Sequence, residues 1–391
     1  MIPIVVPAVL LLLVCAALAF ERTRLGRWRR TIPLRVAVTG TRGKSTVTRL
    51  VAAALRESGL RVVAKTTGSK PVLILPDGSE RAIRRSGLPS ILEQKRVLGR
   101  AAALGANALV AEMMGVRAET LGAESRRILQ PRILGITNVR LDHLDDMGRT
   151  RAAIAAALSA AVPADAVVLV PSSDDDPAFG AASAARRSTL KCVPETGPKD
   201  IPLGLGFPEN VRLALAMAAE AGVDRETALR GMASAVPDFG SLKIWRMGAA
   251  GAGFFCLSLF AANEPESTWT ALAAGLALLP ARPASLIGLL NLRADRGDRT
   301  RQWLDALAAG FFREFARLVF IGDHARALGR RKRWTRMSSP AVGAVASRRP
   351  EVIMAALRPH LTAGAAVVGL GNMGGPGEEL VELWSRIGEE S

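Results

Sequence analysis

The stretch Gly40-Thr41-Arg42-Gly43-Lys44-Ser45-Thr46 constrains the fold more than any other part of the chain, because of what flanks it. Arg35 to Thr39 reads as a strand, and Ser45 to Ser58 places Val47, Leu50, Val51, Ala54 and Leu55 on one face of a helix. A glycine turn between a strand and an amphipathic helix presents backbone amides at a helix N-terminus, where phosphate oxygens bind. Lys44 suits the β/γ charge of a nucleoside triphosphate, and the Ser45 hydroxyl suits Mg²⁺. Val38 stands five residues before Gly43, so the loop is shorter than the standard eight-residue phosphate loop.

Around this loop, short β-rich runs alternate with helical periodicity, which predicts an α/β fold with a doubly wound parallel sheet. Further strands are expected at 62–65, 108–112, 133–137 and 166–170, and helices at 209–221 and 225–232. Pro237-Asp238-Phe239-Gly240 has the composition of a hinge. Beyond it the alternation restarts, with strands near 254–257, 285–290, 318–321 and 365–369, giving a second, smaller Rossmann-like α/β domain. A chain of 391 residues supplies a core for each. The expected division is a domain over 35–240 that binds the nucleotide and a C-terminal domain over 241–391.

Residues 1–20 carry no charge, and Arg22, Arg24, Arg27, Arg29 and Arg30 follow at once. About 20 apolar residues cover the hydrocarbon of a bilayer, and a basic flank stays cytoplasmic. This predicts a transmembrane anchor over 1–20 and a basic juxtamembrane linker over 21–34, with the body of the protein in the cytosol and the phosphate loop near the bilayer. A cleaved signal peptide is disfavoured, since no basic region precedes the apolar run and arginines follow it. The three cysteines, Cys15, Cys192 and Cys256, lie far apart and predict no disulfide framework. The net charge of +17 calls for an anionic partner. Nucleic acid is discounted, because aromatic residues are 4% of the chain and tyrosine is absent, which leaves few stacking platforms. An anionic membrane face and an acidic substrate remain.

Ligands of open parallel sheets collect beyond the carboxyl ends of the strands. Glu112 ends the run Ala108 to Glu112, and Asn138, Asp142 and His143 follow the run from Ile133, so Lys44, Glu112 and His143 are expected to converge. Glu112 and His143 suit a divalent metal beside a triphosphate. Arg293, Arg296 and Arg299, in a charged segment after a strand, suit substrate carboxylates, and Asn263 would line the site from the second domain. Their plainer alternative is a solvated loop with internal salt bridges. Arg326 to Arg349, with Arg330-Arg331-Lys332-Arg333, reads as a solvated basic loop or a contact with lipid head groups or an anionic polymer. Gly369-Leu370-Gly371-Asn372-Met373-Gly374 spells a dinucleotide motif, but too little chain follows to complete such a site, and a tight turn is expected.

Thr39 to Thr46, Glu112 and Thr137-Asn138-Val139-Arg140-Leu141-Asp142-His143-Leu144-Asp145 together resemble the Mur ligase superfamily. Within it the chain is similar to the ligase subunits of poly-γ-glutamate synthases, the CapB/PgsB type. That similarity extends through Val63-Ala64-Lys65-Thr66-Thr67-Gly68, Pro208-Glu209-Asn210, Phe260-Ala261-Ala262-Asn263, Asn291 to Thr300 and Gly369 to Asn372. The resemblance implies an ATP- and Mg²⁺-dependent amide ligase. ATP would phosphorylate the terminal carboxylate of an acceptor chain, and the amine of an amino acid, glutamate by this resemblance, would attack the acyl phosphate. Lys44 would grip the β/γ-phosphates within the loop Gly40 to Thr46, and Ser45, Glu112 and His143 would hold Mg²⁺. Asn138, Asn210 and Lys243 would contact the nucleotide, Asn210 reading adenine, while Lys65 would join Asn263 and the three arginines on the substrates. The implied partners are integral membrane subunits of a synthase complex and the acidic polymer.

The chain departs from the wider superfamily in two ways. Most Mur ligases carry a carbamylated lysine shortly after the Asp-His pair, whereas no lysine occurs here between Lys95 and Lys191. No domain for a UDP-linked precursor fits between the anchor and the first strand, which disfavours a peptidoglycan-precursor ligase. Two alternatives stand beside the leading reading: a ligase like folylpolyglutamate synthase, and a membrane-tethered ATP-binding assembly factor that makes no amide bond.

Overall fold

A computed structural model describes residues 2–68, 71–85, 87, 89–142, 144–195, 205–237, 242–248, 253–262, 264–331 and 340–390. The chain divides into two compact units, Met1–Asp238 and Phe239–Ser391.

Unit 1 opens with helix α1 (Ile2–Thr31) and continues β1 (Leu34–Thr39), α2 (Lys44–Glu57), β2 (Val62–Lys65), β3 (Val72–Ile74), β4 (Glu80–Ala82), α3 (Glu93–Ala103) and β5 (Ala108–Glu112). There follow α4 (Ala118–Ala123), prolonged by a wide turn over Glu124–Leu129, then β6 (Ile133–Ile136), α5 (Leu144–Met147), α6 (Arg151–Ser159), β7 (Val167–Pro171), α7 (Pro177–Ala185), β8 (Thr189–Val193), α8 (Pro208–Glu220) and α9 (Arg225–Ala233). The eight strands form one sheet in the order β4-β3-β2-β5-β1-β6-β7-β8. It is parallel except for β3 and β4, which return antiparallel at one edge. Alternation along β1 sends Val36 and Val38 to a core beneath α2, α8 and α9, and Ala37 to a second core on the opposite face. Both faces are therefore covered, as a parallel sheet requires.

The arginine-rich segment expected as a linker is the last part of α1, packed onto unit 1. Leu25 and Ile32 belong to the core on the α3 face, with Trp28 packed against it. Arg35, at the start of β1, donates to the carbonyls of Arg29, Ile32, Pro33, Leu129 and Gln130, fixing the turn from helix to strand. Burial, then the like charges of Arg132 and Arg29, lower its pKa to about 10, so it stays charged at neutral pH. Upstream, the side chains from Val5 to Phe20 stand exposed apart from the unit, and α1 is long and apolar enough to cross a membrane.

Unit 2 runs β9 (Lys243–Met247), β10 (Phe254–Ser258), α10 (Pro265–Ala277), β11 (Leu286–Leu292), α11 (Gly297–Ala308), β12 (Arg317–Gly322), α12 (Ala325–Gly329), β13 (Ala341–Ala344), α13 (Pro350–Leu357), β14 (Ala366–Gly371), α14 (Pro376–Ile387) and β15 (Glu389–Glu390). Its sheet has the order β13-β12-β11-β14-β10-β9-β15, parallel from β13 to β10 and antiparallel through β9 and β15. Trp245, Trp384 and Phe260 pack as an aromatic cluster in its core. Gly369 to Gly374 closes β14, and the helix α14 and the edge strand β15 follow. The basic run is split: Arg330 and Arg331 follow α12, and residues 332–339, like hinge residues 238–240, lie outside the described part.

Candidate active site

The phosphate loop joins β1 to α2 at the carboxyl edge of the unit 1 sheet. Gly40 and Gly43 take φ of +121° and +78°, conformations that side chains other than glycine adopt at a cost. A Cβ on Gly40 would also lie 2.8 Å from the Thr137 amide nitrogen. No side chain caps the start of α2, where Gly43 is the N-cap residue, so its first amides are available to an anion.

The loop is held from β6. Thr41 donates its hydroxyl to Asn138 Oδ1 at 2.6 Å, and the Arg42 amide donates to the same oxygen at 3.0 Å. Asn138 Nδ2 returns a bond to the Arg42 carbonyl, and Arg42 pairs with Asp142 at 3.4 Å. Asn138 is thus a brace for the loop, and both its amide ends are engaged. Lys44 curls back over the turn, with Nζ 2.8 Å from the Gly40 carbonyl and 3.2 Å from that of Thr41. Thr46, half-buried, lies one residue further along α2.

The second half of the site is Glu112, at the end of β5. β5 pairs with β1 so that Glu112 stands opposite Val38, which brings its carboxylate to the first turn of α2. Ser45 Oγ donates to Glu112 Oε2 at 2.8 Å, and Thr67 donates to the same carboxylate through its amide, at 2.7 Å, and its hydroxyl. Glu112 is 2% exposed. A buried carboxylate against a helix N-terminus, bonded to a hydroxyl that can itself ligate a cation, is a donor set suited to Mg²⁺ next to phosphate. Among the described residues no cluster of three His, Cys, Asp or Glu side chains could hold a metal, and His143, the expected third ligand, lies outside them.

Asn210, near the start of α8, is buried with its side chain against Gly43, so close that a Cβ on Gly43 would overlap Asn210 Oδ1. That oxygen has no hydrogen-bond partner, nor does the buried hydroxyl of Thr137 behind Gly40. Unpartnered buried acceptors are costly, and two of them here border the loop that would receive a nucleotide. Arg140 ties the segment after β6 to α8 through Glu209 at 2.8 Å.

Lys65 ends β2 two residues before Thr67, yet it is fully buried, with Nζ 2.9 Å from Glu93 Oε1. Burial pushes its pKa below the usual lysine value, and Glu93 opposes that shift. Arg85 joins the same carboxylate. Beside this pair, Gln94 donates to the Glu112 carbonyl at 2.9 Å and to Glu124 at 2.7 Å, and Glu124 also accepts from the amides of Met114 and Gly115. Sequence reasoning missed Thr67, Gln94 and Glu124. Thr67 was signalled by its place just past a strand end, whereas Gln94 and Glu124 lie in helical contexts with nothing local to mark them.

In unit 2, Lys243 opens β9 and pairs with Glu390 at 3.3 Å. Arg299 is buried, its Nη1 3.5 Å from Asn372 Oδ1, and Asn372 in turn donates to the Asn291 carbonyl. Arg293 is paired with Asp295 at 2.7 Å, and half-buried Arg296 is the N-cap residue of α11. The three arginines therefore gather around the carboxyl ends of β11 and β14, while Asn263 lies outside the described residues.

Residues 38–193 match the Mur ligase middle domain and residues 244–387 the poly-γ-glutamate synthase CapB C-terminal domain. The chain is 30% identical over 383 residues to PGA synthase CapB of Bacillus subtilis (strain 168), covering 95% of this chain and 96% of that one. To the capsule biosynthesis protein CapB of Bacillus anthracis it is 31% identical over 363 residues, covering 90% and 76%. Among solved structures, Escherichia coli FolC in complex with ADP superposes with a TM-score of 0.66 at 16% identity, covering 94% of this chain and 92% of that one. MurF of Acinetobacter baumannii does so with 0.64 at 18%, covering 93% and 80%; these two likenesses carry the fold alone. With a Mur-ligase-like α/β fold and relatives aligned along almost its whole length, the chain belongs to the CapB family of poly-γ-glutamate synthases.

Proposed function

We propose that the chain is an ADP-forming amide ligase that adds glutamate to the carboxyl end of a growing poly-γ-glutamate chain. The single observation that carries this reading is the meeting of Ser45 and Glu112 at the N-terminus of α2, within a chain similar to a CapB protein over 95% of its length. ATP supplies the phosphoryl group: a carboxylate oxygen of the acceptor attacks the γ-phosphorus, and the bond to ADP breaks. The amine of the incoming amino acid then attacks the acyl carbon, displaces phosphate and loses a proton. Phosphoryl transfer depends on positioning and on charge that meets the developing negative charge. The amides of Gly43 to Ser45 and the Lys44 ammonium would do so for the β/γ-phosphates, and Ser45 and Glu112, with His143, would hold Mg²⁺. Asn210 and Lys243 are proposed on the nucleotide. Arg293, Arg296 and Arg299, with Asn263, are proposed on substrate carboxylates, where a guanidinium forms paired hydrogen bonds. Lys65, buried against Glu93 at the end of β2, would act on the site through the segment that leads from it to Thr67.

The apolar half of α1 and the arginines that follow it support a single-pass anchor in the cell membrane, with both units on the cytoplasmic side and integral membrane subunits as partners. Membranes from cells that make the protein, given ATP and isotopically labelled glutamate, test the reading by mass spectrometry. A ladder of products spaced by one glutamyl residue and requiring ATP is expected. ATP turnover with no such ladder would favour an assembly factor instead.

A further inference from the structure

The direction of α1 against the sheet fixes which edge of unit 1 lies next to the anchor. At the end of the helix, Arg35 Nη1 takes the carbonyls of Arg29 and Ile32 at the amino end of β1. At the other end of the packed part, Glu21 pairs with Lys95, near the amino end of α3. That end of α3 sits over the carboxyl end of β2, since the neighbouring Glu93 holds Lys65. Between the two, Trp28 lies against Gly99, whose Cβ, if present, would be 2.8 Å from the indole. The segment from Glu21 to Thr31 thus runs antiparallel to β1 over about 16 Å, at 1.5 Å per residue, which matches a strand of five residues. The apolar part of the same unbroken helix therefore leaves unit 1 at the carboxyl edge of its sheet, the edge that carries the phosphate loop and Glu112.

The surface beside that exit includes residues 83–85, which follow β4, and residues 89–92, which precede α3. Within it Leu92 is exposed, as are Arg84 and, on α1, Arg22 and Arg24. An exposed leucine among arginines next to a membrane span suits a phospholipid surface, the arginines at the headgroups and the leucine at their apolar boundary.

We propose that the carboxyl edge of the unit 1 sheet faces the bilayer, with residues 83–85 and 89–92 seated on phospholipid headgroups beside α1. This rests on the reading of α1 as an anchor. It places the phosphate loop on the membrane side of unit 1, so that an acidic chain extended there is handed on at the bilayer rather than released into solution.

Single cysteines at Ser90 and Ala103, in a chain with Cys15→Ser and Cys192→Ser, test the orientation; Cys256 is buried. The two positions bracket α3, so they differ in height by at least about 15 Å with α3 standing along the membrane normal as α1 does. Each labelled protein is reconstituted in vesicles of phosphatidylcholine and phosphatidylglycerol containing a headgroup-attached quencher. Quenching at position 90 at least about twofold stronger than at 103 is expected from that separation. Equal quenching, or stronger quenching at 103, with the protein still held after an alkaline wash, would overturn the orientation. Release of the protein by that wash would instead overturn the anchor itself, and the orientation with it.

Discussion

Asn210 leaves no room for a side chain on Gly43: its Oδ1 occupies the space that a Cβ there would need, and Gly43 has φ of +78°. The helix that closes one face of the sheet is thereby locked to the turn of the phosphate loop. Gly43→Ala should lower stability by about 1–3 kcal/mol through strain and overlap and abolish ATP binding. Adding Asn210→Ala should recover part of the stability by removing the overlap, but not the binding. Thermal melts of the single and double variants with and without ATP check this; additive losses would contradict it.

Glu112 is held by bonds from Ser45 and Thr67. Glu112→Gln keeps an acceptor for Thr67 but removes the charge, so the fold should survive while turnover falls by about 10²–10³-fold, the scale of one preorganised electrostatic contact. Ser45→Ala should chiefly raise the Mg²⁺ concentration needed for half-maximal rate. A Mg²⁺ titration of both variants separates the roles, and an unchanged titration for Ser45→Ala would deny that hydroxyl a place on the ion.

Trp28, in the arginine-rich part of α1, packs directly over Gly99 of α3, where a Cβ would lie 2.8 Å from the indole. Gly99→Val should cost about 1–3 kcal/mol by overpacking. Pairing it with Trp28→Leu should restore part of the loss, because the smaller side chain yields the space. Urea midpoints of the detergent-solubilised protein measure both. A neutral Gly99→Val would mean that α1 does not dock there.

Glu124 is held inside unit 1 with its pKa raised above the ordinary 4.5 by burial, while bonds from Gln94, Gly115 and Met114 act in the opposite direction. A raised carboxyl pKa contributes stability that is fully present below pH 4.5 and lost as the pH rises through the raised value. Glu124→Gln cannot ionise, so its urea midpoint should fall less than that of the wild type as the pH rises above 4.5. Parallel pH profiles would show that Glu124 does not govern the pH dependence of stability.

Much of the fold could be read from the residues, because β1, β2, β5, β6 and β7 are buried on both faces and appear as apolar runs, and α2 shows its stripe plainly. The edge strands could not. β4 is exposed along its length, and β8 nearly so, and neither carries an apolar pattern. In α1 the five arginines hid the packing face, although Leu25, Trp28 and Ile32 recur at helical spacing. Gly40, Lys44, Ser45 and Glu112 were legible because a site in a parallel sheet draws on loop glycines and strand ends. Gln94 bonds the Glu112 carbonyl and Glu124 bonds Gln94, each from another element of the chain, and only tertiary structure brings them together.

In the proposed function, phosphoryl transfer from ATP is coupled to amide formation at the loop between β1 and α2. Glutamate-dependent ADP release, measured alongside new γ-amide bonds in membranes carrying either the wild type or Lys44→Ala, tests it most directly. The expected result is one ADP per amide for the wild type and neither product above background for the variant. Amide formation that persists in Lys44→Ala, or ADP release in the wild type that does not depend on glutamate, would contradict it.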